Sequence, residues 1–244
     1  MEILVVNPNT TRSMTETIAR ASQRAAGPGT RIRATQPEMG PASIEGSYDE
    51  AFSVPGLLAE IARGEAAGVA AHIVACFDDT GLDAARSLAA APVIGIGEAA
   101  FHMASLVAHR FAVVTTLSRS IAAIEANLVR YGLAARCAGV RAAEVPVLAL
   151  EDRDAGAVGR IAEAIERAKA EDRADAVVLG CAGMAELAGE LAAAHGLPVV
   201  DGVAAAVVLA EGLGRLGLRT AKSGPYASPL PKVYSGIFAG FAPG

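Results

Sequence analysis

Short runs of β-branched and aliphatic residues alternate along the chain with longer alanine-rich stretches that have helical periodicity. The runs predict strands at residues 3–6, 73–75, 93–96, 111–114, 176–179 and 199–200, with weaker candidates at 31–34 and 136–141. The stretches between them predict helices at residues 12–26, 51–67, 82–89, 98–108, 120–131, 154–170, 184–195 and 203–216. Strands that are apolar on both faces and separated by helices are typical of buried parallel sheets. The pattern therefore predicts an α/β fold.

The two halves of the chain repeat the same order of elements. In each half an apolar strand runs directly into a cysteine, Cys76 or Cys181, and an alanine-rich helix follows. The next strand begins after Pro92, 16 residues beyond the first cysteine, and after Pro198, 17 residues beyond the second. This spacing predicts a duplication. We expect two similar Rossmann-like lobes, with parallel sheets related by pseudo-twofold symmetry and the active site in the cleft between them.

The final helix and the tail complicate the division into lobes. A two-lobed protein with a central cleft often returns its last helix to the first lobe, so we place the first lobe at residues 1–96 with 207–244. The second lobe is then residues 97–206. Residues 223–244 contain several prolines and glycines, and we expect this tail to cross a surface and to contribute to an oligomer contact.

The repeated cysteines are the strongest chemical signal in the sequence. Loops outside the carboxyl ends of parallel strands form the ligand sites of open α/β sheets, and both thiols fall there. Each is predicted to precede a helix, whose N-terminus favours a thiolate. A single cysteine at a strand end is usually a small buried hydrophobe. Two cysteines at equivalent positions of a repeat favour catalysis. Cys137 lacks a repeat partner, and we interpret it as a core or surface residue without a catalytic role.

Polar loops follow the first strand of each predicted half, at residues 7–11 and 115–118. Their hydroxyls, amides and backbone N–H groups could bind a carbonyl or imide, or could cap the following helices. A third loop at residues 40–46 could form a wall of the cleft or could be a connector. Asp78 and Asp79 are predicted to cap the helix that follows them, with substrate binding or tuning of Cys76 as the alternative.

Composition and charge exclude several classes of function. The chain has 244 residues, 52% hydrophobic and 19% charged, which excludes disorder. Its net charge is −5 and it has no dense Lys/Arg run, so we expect no nucleic-acid partner. No stretch of about 18 uncharged apolar residues predicts a membrane span. The three cysteines and the lack of a signal-peptide pattern predict a cytoplasmic protein.

Motifs of other enzyme classes are missing from the sequence. The four histidines do not fall at strand ends, so we expect neither a histidine triad nor a metal site. There is no Walker A motif, no Gly-x-Ser-x-Gly and no dinucleotide fingerprint after the first strand, and Gly95-Ile96-Gly97 is a fragment of such a fingerprint. The sequence therefore gives no motif for a nucleotide cofactor.

Four segments resemble the hydantoin/allantoin racemase branch of the aspartate/glutamate racemase superfamily. They are Asn7-Pro8-Asn9-Thr10, Pro41-Ala42-Ser43-Ile44-Glu45, Cys76-Phe77-Asp78-Asp79 and Gly180-Cys181-Ala182-Gly183-Met184. The resemblance spans nearly the whole chain. It implies cofactor-independent racemisation at C5 of a 5-substituted hydantoin such as allantoin, and it implies a homo-oligomer.

The resemblance also implies roles for individual residues. Cys76 and Cys181 would be the two proton-transfer groups. Asn9, Thr115 and Thr116 would hold ring carbonyl or imide atoms. Ile44 and Phe77 would line the pocket, and the backbone N–H groups after each cysteine, including that of Ala182, would stabilise the enolate oxygen.

Two other classes of function stay open from the sequence. An aspartate/glutamate-type racemase or a maleate-type isomerase needs cationic anchors for substrate carboxylates, and Arg12 and Arg119 lie near the polar loops. A non-catalytic small-molecule binding module would share the two-lobed fold, but it leaves the repeated cysteines unexplained.

Overall fold

The computed structural model describes residues 1–151 and 156–243, which form two four-stranded parallel sheets. The strands are β1 (Glu2–Val6), β2 (Arg31–Thr35), β3 (Ala71–Val74), β4 (Val93–Gly95), β5 (Phe111–Thr115), β6 (Cys137–Ala142), β7 (Ala176–Gly180) and β8 (Val199–Asp201). The helices are α1 (Arg12–Ala25), α2 (Ser47–Ala66), α3 (Leu82–Leu88), α4 (Ile96–Val107), α5 (Ile121–Arg130), α6 (Ala157–Asp172), α7 (Ala188–His195) and α8 (Gly202–Arg215). The sheet orders are β2-β1-β3-β4 and β6-β5-β7-β8. Because the two orders are equivalent, the predicted α/β fold of two similar lobes is confirmed.

Strand register determines where the loops of each sheet meet. Val6 at the end of β1 pairs with Val74 at the end of β3, and Thr115 at the end of β5 pairs with Gly180 at the end of β7. These four central strands are buried along almost their whole length. Since parallel strands all end at the same edge, the loops that follow β1 and β3 emerge together, as do those after β5 and β7.

Most predicted elements are present, with differences at their ends. The weaker candidates at 31–34 and 136–141 are the edge strands β2 and β6. The helix predicted at 51–67 begins earlier, at Ser47, and the one predicted at 184–195 opens as a 3₁₀ segment, Ala182–Leu187, before α7. Residues 154 and 155 of the helix predicted at 154–170 lie outside the described residues, and α6 begins at Ala157. No helix in the described ranges is long and apolar enough to cross a membrane.

The helix after the last strand of each sheet packs towards the other half of the chain. Helix α8 contacts α1 and β3, whereas α4 contacts α5 and β7, and α4 and α8 pack against each other. The division into residues 1–96 with 207–244 and residues 97–206 stays a prediction. The exchange of contacts produces one shared core between the two sheets, with a separate apolar cluster on the outer face of each.

Phe101 on α4 is the centre of an aromatic group in the shared core. Its ring lies 5.4 Å from that of Phe77 in an edge-on arrangement, 6.0 Å from that of Phe111 and 6.3 Å from that of Tyr131. Phe77 directly follows Cys76, while Phe111 opens β5 and Tyr131 follows α5. Large aromatic rings contribute strongly to packing energy, so this group fixes the loop after β3 against the second half of the chain.

The N-termini of α4 and α8 are capped in different ways. Asp201 accepts hydrogen bonds from Val203 N (2.9 Å) and Ala204 N (3.0 Å) at the start of α8. Gly95 holds the equivalent position before α4, and a Cβ placed there would lie 2.1 Å from Asp79 Oδ1.

Asp79 instead supplies the cap from a neighbouring loop. It accepts hydrogen bonds from Gly97 N (2.9 Å) and Glu98 N (2.8 Å) at the start of α4. The prediction that Asp79 caps the next helix in sequence is therefore wrong, because Gly81 stands before α3 and the carboxylate reaches α4 instead. Gly95-Ile96-Gly97 is needed for this close approach, since a Cβ on Gly97 would lie 2.3 Å from Phe77 O.

We predict that Gly95→Ala destabilises the protein by roughly 1–3 kcal/mol, because the new methyl group displaces the Asp79 carboxylate from α4. The measurement is the free energy of unfolding by denaturant. Gly159→Ala is the matched control, since Gly159 lies in α6, where an added methyl group would meet open space. That variant is expected to be neutral or more stable by up to about 1 kcal/mol. Equal stability of the Gly95→Ala variant and the native chain would contradict the cap.

Candidate active site

The two repeated cysteines line one cavity between the sheets, which we call the central cavity. Cys76 follows β3 and Cys181 follows β7, and both adopt the same local turn. Cys76 O accepts a hydrogen bond from Asp79 N, and Cys181 O accepts one from Met184 N, each at 3.0 Å. The duplication therefore places one thiol from each half of the chain at the same cavity.

The local environment of the two thiols is similar but not identical. Cys76 Sγ accepts a hydrogen bond from the backbone N–H of Asp78, and Cys181 Sγ accepts one from that of Gly183. Cys76 Sγ also lies 3.5 Å from the hydroxyl of Thr80. A Cβ on Gly183 would lie 3.0 Å from Leu150 Cδ1, so this glycine leaves room for the Leu150 side chain beside the Cys181 loop.

Burial dominates the ionisation of both thiols. It raises the pKa of Cys181 to about 12 and that of Cys76 further above its usual range, while the backbone N–H donors act in the opposite direction. The expectation that each cysteine immediately precedes a helix is wrong for Cys76, because α3 begins six residues later, at Leu82. Cys181 precedes a short 3₁₀ segment. Both thiols are therefore predominantly protonated at neutral pH.

The loop after β1 presents one amide to the cavity in a defined orientation. Asn7 Nδ2 donates a 2.8 Å hydrogen bond to Asn9 Oδ1, which also accepts one from Thr11 N at 2.9 Å. The side-chain oxygen of Asn9, Oδ1, thus already accepts two hydrogen bonds within the loop. Its Nδ2 has the Met14 sulfur at 3.5 Å, a weak acceptor. The orientation makes Asn9 Nδ2 available as a donor to a ligand carbonyl.

The loop after β5 contributes Thr116 and Ser120 to the cavity, but not Thr115. The hydroxyl of Thr115 is buried and donates to Gly180 O at 3.1 Å, so it joins β5 to β7 instead of facing a ligand. A Cβ on Gly180 would lie 2.8 Å from Thr115 Cβ, which explains the glycine before Cys181. The expected contact of Thr115 with a ligand is not supported, because the end of β7 takes its hydroxyl.

The loop before α2 forms a wall of the cavity. Thr10 N donates to Pro41 O at 3.0 Å, and Ile44 lines the cavity. The next residue, Glu45, accepts a 2.8 Å hydrogen bond from Val147 N in the other half of the chain. The cavity is narrow, with a volume of about 40 Å³, well below that of typical ligand pockets.

The structure brings together most of the residues that the sequence predicted for the site. Cys76, Cys181, Asn9, Ile44, Phe77, Thr116 and Ala182 all line the central cavity. The backbone N–H groups of Phe77 and Ala182 make no hydrogen bond within the described part of the chain. Asn7 and Pro8 also line the cavity and belong to the polar loop predicted at residues 7–11, and Asp78 lines it as in the alternative to capping. The lining residues that sequence reasoning missed are Met14, Ala75, Ser120, Val147 and Gly180.

Asp78 is the one charged side chain among the described residues that line the cavity. Burial and the charge of Glu50 raise its pKa to about 7. It also raises the pKa of both thiols through its charge. The position of Asp78 two residues after Cys76 marks it in the sequence, whereas nothing local marks Met14 or Val147, which reach the cavity from distant elements.

The cavity lining contains no Lys, Arg or His among the described residues. Arg12 is exposed and pairs with Glu16, and Arg119 is exposed on the short segment before α5. His72 is buried against Glu65, at 2.9 Å, near the opposite end of β3. In the described ranges no cluster of His, Cys, Asp and Glu could hold a metal ion. Among the described lining residues the ionisable groups are therefore Asp78 and the two thiols, and none of them is cationic.

Residues 3–210 match the model of the Asp/Glu/Hydantoin racemase family, and the chain belongs to this family. Within it, the chain is similar to the hydantoin and allantoin racemases, so the resemblance to that branch is confirmed. It is 49% identical over 236 residues to a hydantoin racemase from Rhizobium meliloti, covering 97% of this chain and 98% of the relative.

Solved structures lead to the same branch. An allantoin racemase from Klebsiella pneumoniae is 48% identical with a TM-score of 0.96, covering 100% of this chain and 99% of that one. A second, from Pseudomonas fluorescens, is 42% identical with a TM-score of 0.93, covering 97% of this chain and 100% of that one.

We predict that both site thiols react slowly with iodoacetamide in the absence of ligand, because the thiolate is the reactive form. A thiol of pKa about 12 is ionised to roughly one part in 10⁴ at pH 8. The rate of alkylation is measured against pH in double variants that keep one thiol, Cys76→Ser with Cys137→Ser and Cys181→Ser with Cys137→Ser. The rate should still rise at pH 10. A plateau below pH 9, with denatured protein as the reference, would contradict the assigned burial effect.

Proposed function

We propose that this protein is a cofactor-independent racemase of 5-substituted hydantoins that uses Cys76 and Cys181 as its acid–base pair. Its similarity to hydantoin and allantoin racemases along nearly the whole chain supports the reaction class. The observation that carries the proposal is the pair of thiols, one from each half of the chain, at one cavity that holds no cationic side chain in the described residues.

Racemisation needs one group on each face of C5. The thiolate of one cysteine removes the C5 proton and becomes a thiol, and the electron pair moves into an enolate at the adjacent carbonyl. The thiol of the other cysteine then donates its proton to the opposite face and becomes a thiolate. The high pKa of these thiols makes each thiolate scarce but strongly basic towards carbon. The backbone donors to each sulfur limit the cost of forming it.

The donors around the cavity match the carbonyl groups of a cyclic ureide. Asn9 Nδ2 and the hydroxyl of Thr116 face the cavity without a strong acceptor in the described residues. The backbone N–H groups of Phe77 and Ala182 lie next to the thiols. Donors placed where an enolate oxygen develops contribute roughly 10²–10³-fold each to the rate. These groups would hold the ring and stabilise the enolate.

The same lining argues against substrates that carry carboxylates. An aspartate/glutamate-type racemase or a maleate-type isomerase must neutralise one or two carboxylates, and Arg12 and Arg119 do not line the cavity. Asp78, with Glu50 close enough to raise its pKa, would repel such anions. A binding module without catalysis would not need two thiols at equivalent turns. A neutral ring with N–H groups fits the site best.

We predict that Cys76→Ser and Cys181→Ser each lose more than nine-tenths of the racemase activity, because a serine hydroxyl is far too weak an acid and base to replace the thiol. The measurement is the decay of optical rotation of enantiopure allantoin and of enantiopure 5-benzylhydantoin. Cys137→Ser is the control and should retain full activity, since Cys137 opens β6 outside the cavity lining. Either site variant retaining above a tenth of the activity would exclude the two-cysteine mechanism.

The tail supports a proposal about assembly, namely that the protein is a homo-oligomer in the cytoplasm. Residues Leu230, Val233 and Ile237 are 74%, 94% and 87% exposed, although all three are apolar. The tail ends beside an apolar groove between Phe238 and Phe52. Exposed apolar patches of this kind are typical of protein interfaces.

The state of the cysteines supports the proposed location in the cytoplasm. All three are free thiols, as expected in a reducing compartment.

We predict that the native chain has a mass in solution of at least twice the 24.6 kDa of one chain, because a second copy covers the apolar tail. Light scattering coupled to size exclusion measures this mass. Val233→Asp combined with Ile237→Asp should shift the mass towards one chain, whereas Lys232→Glu in the same exposed tail should not. A monomeric native chain, or a double variant with unchanged mass, would contradict the proposed interface.

A further inference from the structure

Two adjacent aspartates in the Cys76 loop have opposite environments. The carboxylate of Asp79 accepts hydrogen bonds from Gly97 N at 2.9 Å, Glu98 N at 2.8 Å and the Tyr131 hydroxyl at 2.8 Å. Asp78 lines the cavity and accepts a single long hydrogen bond, 3.4 Å from Ser120 Oγ to its Oδ2. Its Oδ1 accepts none from the described residues, and no Lys or Arg pairs with it there.

The backbone around Asp78 is nevertheless firmly held. Its carbonyl oxygen accepts a 2.8 Å hydrogen bond from Asn127 Nδ2 on α5, and its N–H donates to Cys76 Sγ. The next residue, Asp79, has a positive φ of 51° and is anchored by its three donors. A partly buried carboxyl group with few partners is costly for folding, so a rigidly placed one at a cavity is best explained by a ligand that supplies the missing donor.

We propose that the Asp78 carboxylate accepts a hydrogen bond from the ring N1–H of the hydantoin, the nitrogen bonded to C5. This inference rests on the proposed function and assigns a binding residue that orients the ring. Asp78 lines the same narrow cavity as Cys76 and Cys181, so its carboxyl group lies near the carbon that the two thiols would flank. That carbon has two ring neighbours, the N1–H group and the C4 carbonyl.

The chemistry of the reaction selects N1–H between these two neighbours. Removal of the C5 proton moves negative charge onto the C4 oxygen, and a carboxylate facing that oxygen would raise the barrier. An ionised carboxylate opposite N1–H instead makes a strong charge-assisted hydrogen bond. With a pKa of about 7, Asp78 is mostly ionised at pH 8. The contact places N1 at Asp78 and the C4 oxygen towards the neutral donors.

The test compares 5-benzylhydantoin with its N1-methyl and N3-methyl derivatives, using kcat/KM for racemisation at pH 8. None of these has a ureido substituent, so a contact of Asp78 with a polar side chain cannot produce the result. In the native enzyme N1-methylation should lower kcat/KM by roughly 10²-fold, beyond any effect of N3-methylation. In the Asp78→Ala variant, kcat/KM for the parent compound should fall by a similar factor. N1-methylation should then lower kcat/KM of this variant by less than about threefold. Asp78→Asn keeps a neutral acceptor and should give an intermediate penalty.

The outcomes separate this inference from the proposed function. If the native enzyme racemises none of the hydantoins, the proposed function fails. If it racemises the parent compound but N1-methylation has no cost, or if Asp78→Ala keeps the full native penalty, the contact with N1–H is excluded. If Asp78→Ala does not show a native unfolding transition, Asp78→Asn decides instead: an unchanged penalty overturns the inference, and a reduced one supports it.

Discussion

The hydrogen bonds of Asp79 are the interaction on which the site depends most. One carboxylate caps α4, which packs against the second half of the chain, and accepts a hydrogen bond from Tyr131 after α5. The loop that carries Cys76 and Asp78 is thereby attached to elements beyond its own sheet. Gly95 and Gly97 provide the space for this attachment. Together with the packing of Phe77 on Phe101 and the hydrogen bond from Asn127 to Asp78 O, it fixes the loop after β3 relative to Cys181.

Burial has two opposing effects at the site. It strengthens each hydrogen bond to the thiols, but it also raises their pKa, so both groups are mostly thiols and seldom thiolates at neutral pH. The arrangement suits a reaction in which a strong base is needed briefly against a carbon acid. The Asp78 charge adds to the same effect, and a ligand N–H that pairs with it would relieve part of that repulsion.

The sequence was sufficient for features that depend on local pattern. Apolar runs and helical periodicity located all eight strands, and the repeated cysteine spacing located the duplication and one residue pair of the site. Features that depend on distant contacts could not be predicted. Nothing local shows that Asp79 reaches α4 instead of α3, that Thr115 bonds Gly180, or that Val147 meets Glu45 across the cavity. Each follows from how the two sheets pack, which strand patterns alone do not specify.

The most direct test of the two-cysteine account is the fate of deuterium when one hydantoin enantiomer is incubated with the enzyme in D₂O. In this account one cysteine removes the C5 proton from one face, and the other supplies a solvent-derived deuteron to the opposite face. Because a thiol carries a single proton, the first cysteine can only return the original proton to the starting face. The account predicts that, early in the reaction, the product enantiomer carries deuterium at C5 while the recovered starting enantiomer does not. Deuterium appearing in the starting enantiomer as fast as product forms would show that the group that removes the proton exchanges with solvent and returns a deuteron to the same face, as a single base serving both faces would, and it would contradict the account.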